Sequence, residues 1–311
     1  MLIVSLTSIP SRFHLLGATL RSILAQDVPI DAVELWIPRA YRRFPQHAFR
    51  LPEVPEGVRV RVTEADLGPA TKVLPAAAAH RGTDARILYC DDDRIVPRGW
   101  ARSFLKVADR VPGCAVAISG WDIDFLGFPP RAGKPLPRAR RKRSLFDLSY
   151  RWRRLEQKYL EVKLGRRLPK PDGADHLTRA GYVDIMEGCG GVLVRPAMFD
   201  AEAFDIPDKL WPVDDIWLSG MLARRGIRIW SMRRGPMPQE QDNVADPLYR
   251  SVIEGLNRHQ ANCACVRHLQ DRFGIWQDTR PPAWQAQGAA RISIPNRSRG
   301  SSGSASRSRL R

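Results

Sequence analysis

Along the first third of the chain, short apolar runs alternate with amphipathic stretches, the pattern of an α/β fold with a mainly parallel sheet. Leu2 to Leu6 is an apolar run suited to a buried strand. Between His14 and Gln26, Leu15, Leu16, Leu20, Ile23 and Leu24 recur at helical spacing. Val33 to Ile37 and Val58 to Val62 return to strand character, and Ala70 to His80 is an Ala-rich helix candidate. Arg86 to Cys90 gives a further buried strand that ends abruptly in three aspartates. A helix over Trp100 to Asp109 and a strand over Ala115 to Ser119 follow, and then the pattern breaks into FPPRAGKPLPRARRKR, which reads as a flexible connection. Helical character is expected at Leu145 to Lys163, Asp214 to Arg225 and Leu248 to Phe273, with a strand at Gly191 to Val194.

Composition adds limits to this picture. With 311 residues and 43% hydrophobic content the chain can bury a sizeable core. No apolar run approaches the roughly 18 residues of a membrane span, and Leu2 to Leu6 is too short for a secretory signal, so a cytoplasmic protein is expected. Five cysteines at irregular spacing form neither a disulfide framework nor a paired zinc motif, and Cys263 and Cys265, near His259 and His268, read as part of a half-buried helix. The net charge of +17 is unevenly spread. Arg131 to Lys170 carries 15 basic residues against 3 acids, Gly288 to Arg311 carries 6 arginines and no acid, and the rest is near neutral. The expected organisation is therefore two halves of one domain (1–128 and 176–287), a basic insertion (129–175) and a basic tail (288–311).

Several short motifs carry candidate chemistry. Asp91, Asp92 and Asp93 follow an apolar strand, at the sheet edge where open α/β folds bind ligands. Three adjacent carboxylates repel one another, so a cation or basic group must compensate them. Their oxygens suit Mg²⁺ or Mn²⁺ completed by a bound diphosphate. Asp214 and Asp215 open an amphipathic helix, where one can cap and the other can serve as a general base. Glu187 to Gly191 holds three glycines, including Gly190 and Gly191, and allows close backbone approach to a ligand or a tight bend. It has neither P-loop nor dinucleotide-fingerprint spacing. Thr7, Ser8, Pro10 and Arg12 form a loop after the first strand, and Asp66 and Lys72 lie in a turn feeding a helix.

In order, SLTSIPSR, DLGPATKVLPA, ILYCDDDRIVPRGW, EGCGGVLVRP and VDDIWLSGMLARRGI resemble bacterial glycosyltransferases of the GT-A fold, close to glycosyltransferase family 2. The resemblance spans roughly Leu2 to Ile229 outside the basic insertion. It implies a nucleotide-sugar donor and a divalent metal held by Asp93 and Asp91, with Asp91 or Asp92 also able to meet the ribose. It further places Thr7, Ser8, Pro10 and Arg12 at the nucleotide, Asp66 and Lys72 beside the base and phosphates, and the glycine-rich segment along donor sugar and acceptor. The acidic pair matches an xED motif in which Asp215 is the base. Asp214 stands where Glu is frequent, which leaves the choice between the two open. His259 and His268 are candidates for a further metal ligand. The implied reaction is an inverting transfer to a hydroxyl of a glycan, lipid-linked or protein acceptor.

A metal-dependent nucleotidyl or phosphoryl transferase would use similar carboxylates. Binding of nucleic acid through the basic segments is a further alternative, disfavoured by their few aromatic residues. The same basic segments suggest peripheral association with the inner face of a membrane.

Overall fold

The computed structural model describes residues 1–141, 148–165, 177–233, 237–241, 245–246 and 255–277. Eight strands form the central sheet: β1 (Leu2–Thr7), β2 (Ala32–Pro38), β3 (Val58–Thr63), β4 (Arg86–Tyr89), β5 (Ala115–Ala117), β6 (Gly181–Val183), β7 (Val192–Val194) and β8 (Ile229–Ser231). Their spatial order is β6-β8-β5-β7-β4-β1-β2-β3. β7 runs antiparallel to both β4 and β5, β6 antiparallel to β8, and the remaining pairs are parallel. The mainly parallel α/β class expected from the sequence is the one the chain adopts.

The helices are α1 (Leu16–Leu24), α2 (Leu74–Ala79), α3 (Trp100–Ala108), α4 (Leu148–Leu164), α5 (Asp214–Arg224) and α6 (Arg258–Phe273). Alternation along the strands divides the core into two layers. Leu2, Val4 and Leu6 of β1, with Leu88 of β4, pack with Leu16, Leu20 and Ile23 of α1 and Trp100 and Phe104 of α3. Ile3, Ile87 and Tyr89 point the other way, into a cluster built from α2, α5 and α6. β1, β2 and β3 step outward in one direction while β4 lies on the other side of β1, so the chain reverses its winding between β1 and β4. Ligands bind at the carboxyl ends of the strands flanking such a point.

Two expectations are corrected. Ala70 to His80 is not one helix: a 3₁₀ turn (Gly68–Lys72) precedes α2, with Val73 outside helical geometry between them. Pro75 lacks the N–H for an intrahelical bond and is tolerated only in the first turn of α2, where it stands. The opening of the basic insertion is not a loose connection either. Arg131 lies 2.6 Å from Asp184, Lys134 3.2 Å from Asp122 and 3.3 Å from Asp124, and Arg138 pairs with both Asp122 and Asp184. Three cations are thus clamped to three body acids, and a short ladder pairs Arg140–Arg141 with Leu177–Arg179.

Within the expected helix at Leu248 to Phe273, α6 begins at Arg258 behind a capping box of Asn257 and Gln260. Residues 142–147, 166–175, 248–254 and the tail 288–311, which figure in the sequence expectations, lie outside the described residues.

Candidate functional site

The loops after β1 and β4 meet at the reversal point. Ser8 donates its hydroxyl to Asp92, and Arg12 contacts Asp92 at 3.0 Å and Asp93 at 3.3 Å. Thr19 of α1 donates to the carbonyl of Asp92 and Gln241 donates its N–H to that of Asp93, which fixes the backbone of the triplet. Arg94, the residue after the triplet, lies 3.2 Å from Asp93 and 3.3 Å from Glu240.

Lys72 joins the two acidic motifs. Its ammonium lies 2.7 Å from Asp91 and 2.9 Å from Asp214, and it is buried above the ring of Tyr89. The hydroxyl of Ser5 donates to the Lys72 carbonyl and anchors the turn that delivers this side chain. No side chain caps α5; Asp214 and Asp215 occupy its first turn, where the helix dipole favours negative charge. Asp215 accepts the backbone N–H of Gly188 at 2.9 Å. A Cβ on Gly188 would stand 2.7 Å from the Lys72 ammonium and 3.2 Å from the Asp215 carboxylate, so the close approach requires glycine there. Gly191 has φ +103°, and a Cβ on it would meet the Trp100 ring at 2.6 Å. Trp100 also donates its indole N–H to the Gly190 carbonyl.

Six carboxylates, the five aspartates and Glu240, therefore meet three cations, Lys72, Arg12 and Arg94, and acids outnumber bases in the set. The titration of the groups reflects this. Burial disfavours a charged Lys72, yet Asp214, Asp91 and Asp215 outweigh it and hold the ammonium well above its ordinary range. Burial likewise opposes a charged Asp91, and Lys72 overcomes it, leaving that carboxyl below its ordinary value. Asp92 is raised by burial despite Arg12 and Ser8. Asp93 is pushed up to about 6 by burial and by the charges of Asp91 and Asp92. Asp215, in no ion pair among the described residues, is pushed up to about 7 by burial and by Asp214. Burial raises the Cys189 thiol above its ordinary value, so it offers no thiolate at neutral pH.

No group of three His, Cys, Asp or Glu arranged to hold a metal occurs among the described residues. His259 contacts Cys263 on its own helix, and His268 packs against Trp217. The acid cluster nevertheless fits a hard cation of the Mg²⁺ type. Asp93 Oδ1 makes no hydrogen bond but faces the Arg94 guanidinium at 3.2 Å, Lys72 bonds only Oδ1 of the Asp91 carboxylate, and such ions bind through one or two carboxylates completed by substrate phosphates.

Other expected residues serve the frame of the site. Thr7 donates to the Trp36 carbonyl, and Pro10 starts the 3₁₀ turn before α1. Asp66 accepts the N–H groups of Arg42 and Gly68 while its carbonyl accepts the Trp211 indole, so it fixes the turn leading to Lys72. Arg94, Tyr89 and Arg258 are absent from the residues that the sequence singles out. Arg94 has a local signal, a cation beside three acids. Arg258 reaches the Pro212 carbonyl from a helix more than 40 residues later and has none. At the opposite, amino edge of the sheet a cavity of 230 Å³ is lined by Arg86, Asp109, Cys114 and Arg195, and it contains none of these carboxylates.

Neither family models nor curated proteins match the chain. Similar solved structures include S. aureus TarS residues 1–349 in complex with UDP-GlcNAc (TM-score 0.46, 14% identity, covering 92% of this chain and 69% of that one). They also include the same TarS segment in complex with UDP (TM-score 0.39, 14% identity, 76% and 59%). A mycobacterial protein gives TM-score 0.41 at 15% identity, covering 90% of this chain and 76% of its own. At these scores the likeness carries no functional weight, and the reading below rests on the residues.

Proposed function

We propose that the chain is a glycosyltransferase of GT-A type that moves a sugar from a nucleotide diphosphate donor to an acceptor hydroxyl with inversion. The observation that carries this reading is the convergence of Asp91 to Asp93 and Asp214 to Asp215 on Lys72, beside the winding reversal of the sheet. The order of motifs in the sequence supports it.

In this reading Asp93 and Asp91 hold Mn²⁺ or Mg²⁺ together with the donor diphosphate, and the surplus of acids over bases is what favours a cation there. When bound, the ion supplies positive charge to the departing nucleoside diphosphate. Lys72 stays protonated throughout the working pH range, keeps Asp91 ionised and holds Asp214 in place. Asp214 is committed to Lys72, so Asp215 is the base. Held by the Gly188 N–H and raised towards neutrality, its carboxylate takes the acceptor proton as the acceptor oxygen attacks the anomeric carbon. Arg12 and the Thr7 to Pro10 loop border the nucleotide.

The test is release of nucleoside diphosphate from UDP-, GDP- and dTDP-sugars with and without Mn²⁺, comparing wild type with Asp93→Ala and Asp215→Asn. Metal-dependent release lost in both variants is expected. Pyrophosphate release would move the reading to nucleotidyl transfer, and an absence of both turnover and metal-dependent nucleotide binding would overturn it.

A further inference from the structure

α4 carries an apolar stripe on its exposed side. Leu148, Trp152, Leu155, Tyr159 and Val162 recur at alternating spacings of four and three, which places them on one stripe about 80° wide. Each is between 63% and 84% exposed. Opposite the stripe Gln157 is 7% exposed, accepts a hydrogen bond from Arg154 and donates one to Glu161. A helix of a soluble domain ordinarily turns its apolar stripe to the core and its polar side to water. On α4 the stripe faces away from the described body of the chain.

The charge around the stripe selects the occupant. In sequence, Arg140 to Lys170 carries twelve Lys and Arg against three acids. Lys158 borders the stripe on one side, and Lys163 and Glu156 on the other. A second copy would bring two such segments together, and the stripe is shorter than the three to four heptads that sustain a coiled coil. An anionic surface is attracted by the same charges. Trp and Tyr among aliphatic residues, with Lys and Arg on the flanks, is the composition of a helix lying in a lipid interface. At 17 residues, about 25 Å, α4 is long enough to lie in that plane and does not need to cross it.

We infer that α4 docks flat on an anionic lipid bilayer, its Trp152, Leu155 and Tyr159 entering the interface and the flanking cations meeting the headgroups. This inference does not depend on the proposed reaction.

The experiment is co-sedimentation of the full chain with phosphatidylcholine vesicles and with vesicles containing about a third phosphatidylserine. The wild type is compared with Leu155→Glu/Tyr159→Glu and with a chain ending at residue 287. The expected result is binding to anionic vesicles only, weakened by salt, reduced more than about tenfold in the double variant and retained by the shortened chain. Equal binding by wild type and double variant would overturn the inference, because the apolar stripe would then be idle. So would a wild type that binds neither vesicle, including one that sediments as a dimer which the double variant breaks. Circular dichroism and thermal unfolding matching the wild type would show that the double variant is folded.

Discussion

Two regions of this chain are dense in charge and they treat it in opposite ways. At the carboxyl edge of the sheet, five aspartates are drawn together from two motifs more than 120 residues apart, four of them held against Lys72, Arg12 and Arg94 and Asp215 against the Gly188 N–H, in a largely buried network. Along α4, which carries five Lys and Arg, the helix is largely exposed and its apolar stripe faces outward. The first region shifts pKa values because its charges are desolvated and imperfectly balanced. The second has charge in water, where its influence is long-ranged and screened by salt. The net charge of +17 comes almost entirely from outside the first region, so overall charge says nothing of its chemistry.

The sharpest way to break the contrast is to remove the shared counter-ion. Lys72→Met leaves Asp91 and Asp214 facing each other without a cation, and loss of one partner from a buried pair costs about 3–5 kcal/mol. Urea unfolding should show a loss in that range, and the added substitution Asp214→Asn should restore part of it. A loss below about 0.5 kcal/mol, the scale of an ordinary surface substitution, would mean that the network is solvated.

The next effect is on pH dependence. Asp215 has a folded-state pKa near 7 against an ordinary value of 3.8, so folding takes up a proton between those values and the protonated form is the one favoured by the fold. Stability from this group is full below about pH 4 and declines as pH rises to about 7. A base must be ionised, so turnover should move the other way, rising up to about tenfold per unit towards pH 7 and levelling above it. Asp215→Asn should flatten the stability limb while abolishing turnover; a turnover profile flat from about pH 5 to 8 would remove Asp215 from the base role.

A smaller, local effect is expected at Gly191. Its φ is +103°, and an added methyl would sit 2.6 Å from the Trp100 ring. Gly191→Ala is therefore both strained and crowded, at a cost of about 1–3 kcal/mol by thermal unfolding. Trp100 is fully buried and donates to Gly190, so it has little room to give way. An unchanged melting temperature would show that the glycine segment yields.

How much of this is legible in the sequence follows the range of the interactions. β1 and β4 are readable because each is an apolar run whose alternate residues feed opposite layers, as Ile87 and Leu88 do. Asp91 to Asp93 and Asp214 to Asp215 are readable as local motifs. Lys72 is not readable as their bridge, because nothing near it in the chain indicates that Asp214 will fold back onto it. The clamp of Arg131, Lys134 and Arg138 reads as a loose connection partly for the same reason, since Asp184 is some 50 residues away, and partly because the Pro and Gly nearby signal only a break in periodicity and hide the nearer acids Asp122 and Asp124. The stripe on α4 is present in the spacing of Leu148, Trp152, Leu155, Tyr159 and Val162. Spacing gives a face without giving its direction, and only the folded chain shows that the face points outward.

The smallest expected effect lies on that face. Trp152→Gln and Val162→Gln replace apolar groups that are already in water, and no burial is lost with them. Each should leave unfolding stability within about 0.5 kcal/mol of wild type, with Val162→Gln also gaining slightly from helix propensity. The same change at a core position such as Leu222, fully buried on α5, would introduce an unpaired amide and remove packed volume. Equal tolerance at Trp152 and Val162, measured by thermal unfolding, would show that the fold draws nothing from the stripe; a loss of about 2 kcal/mol at either would mean that the stripe is covered by the chain itself.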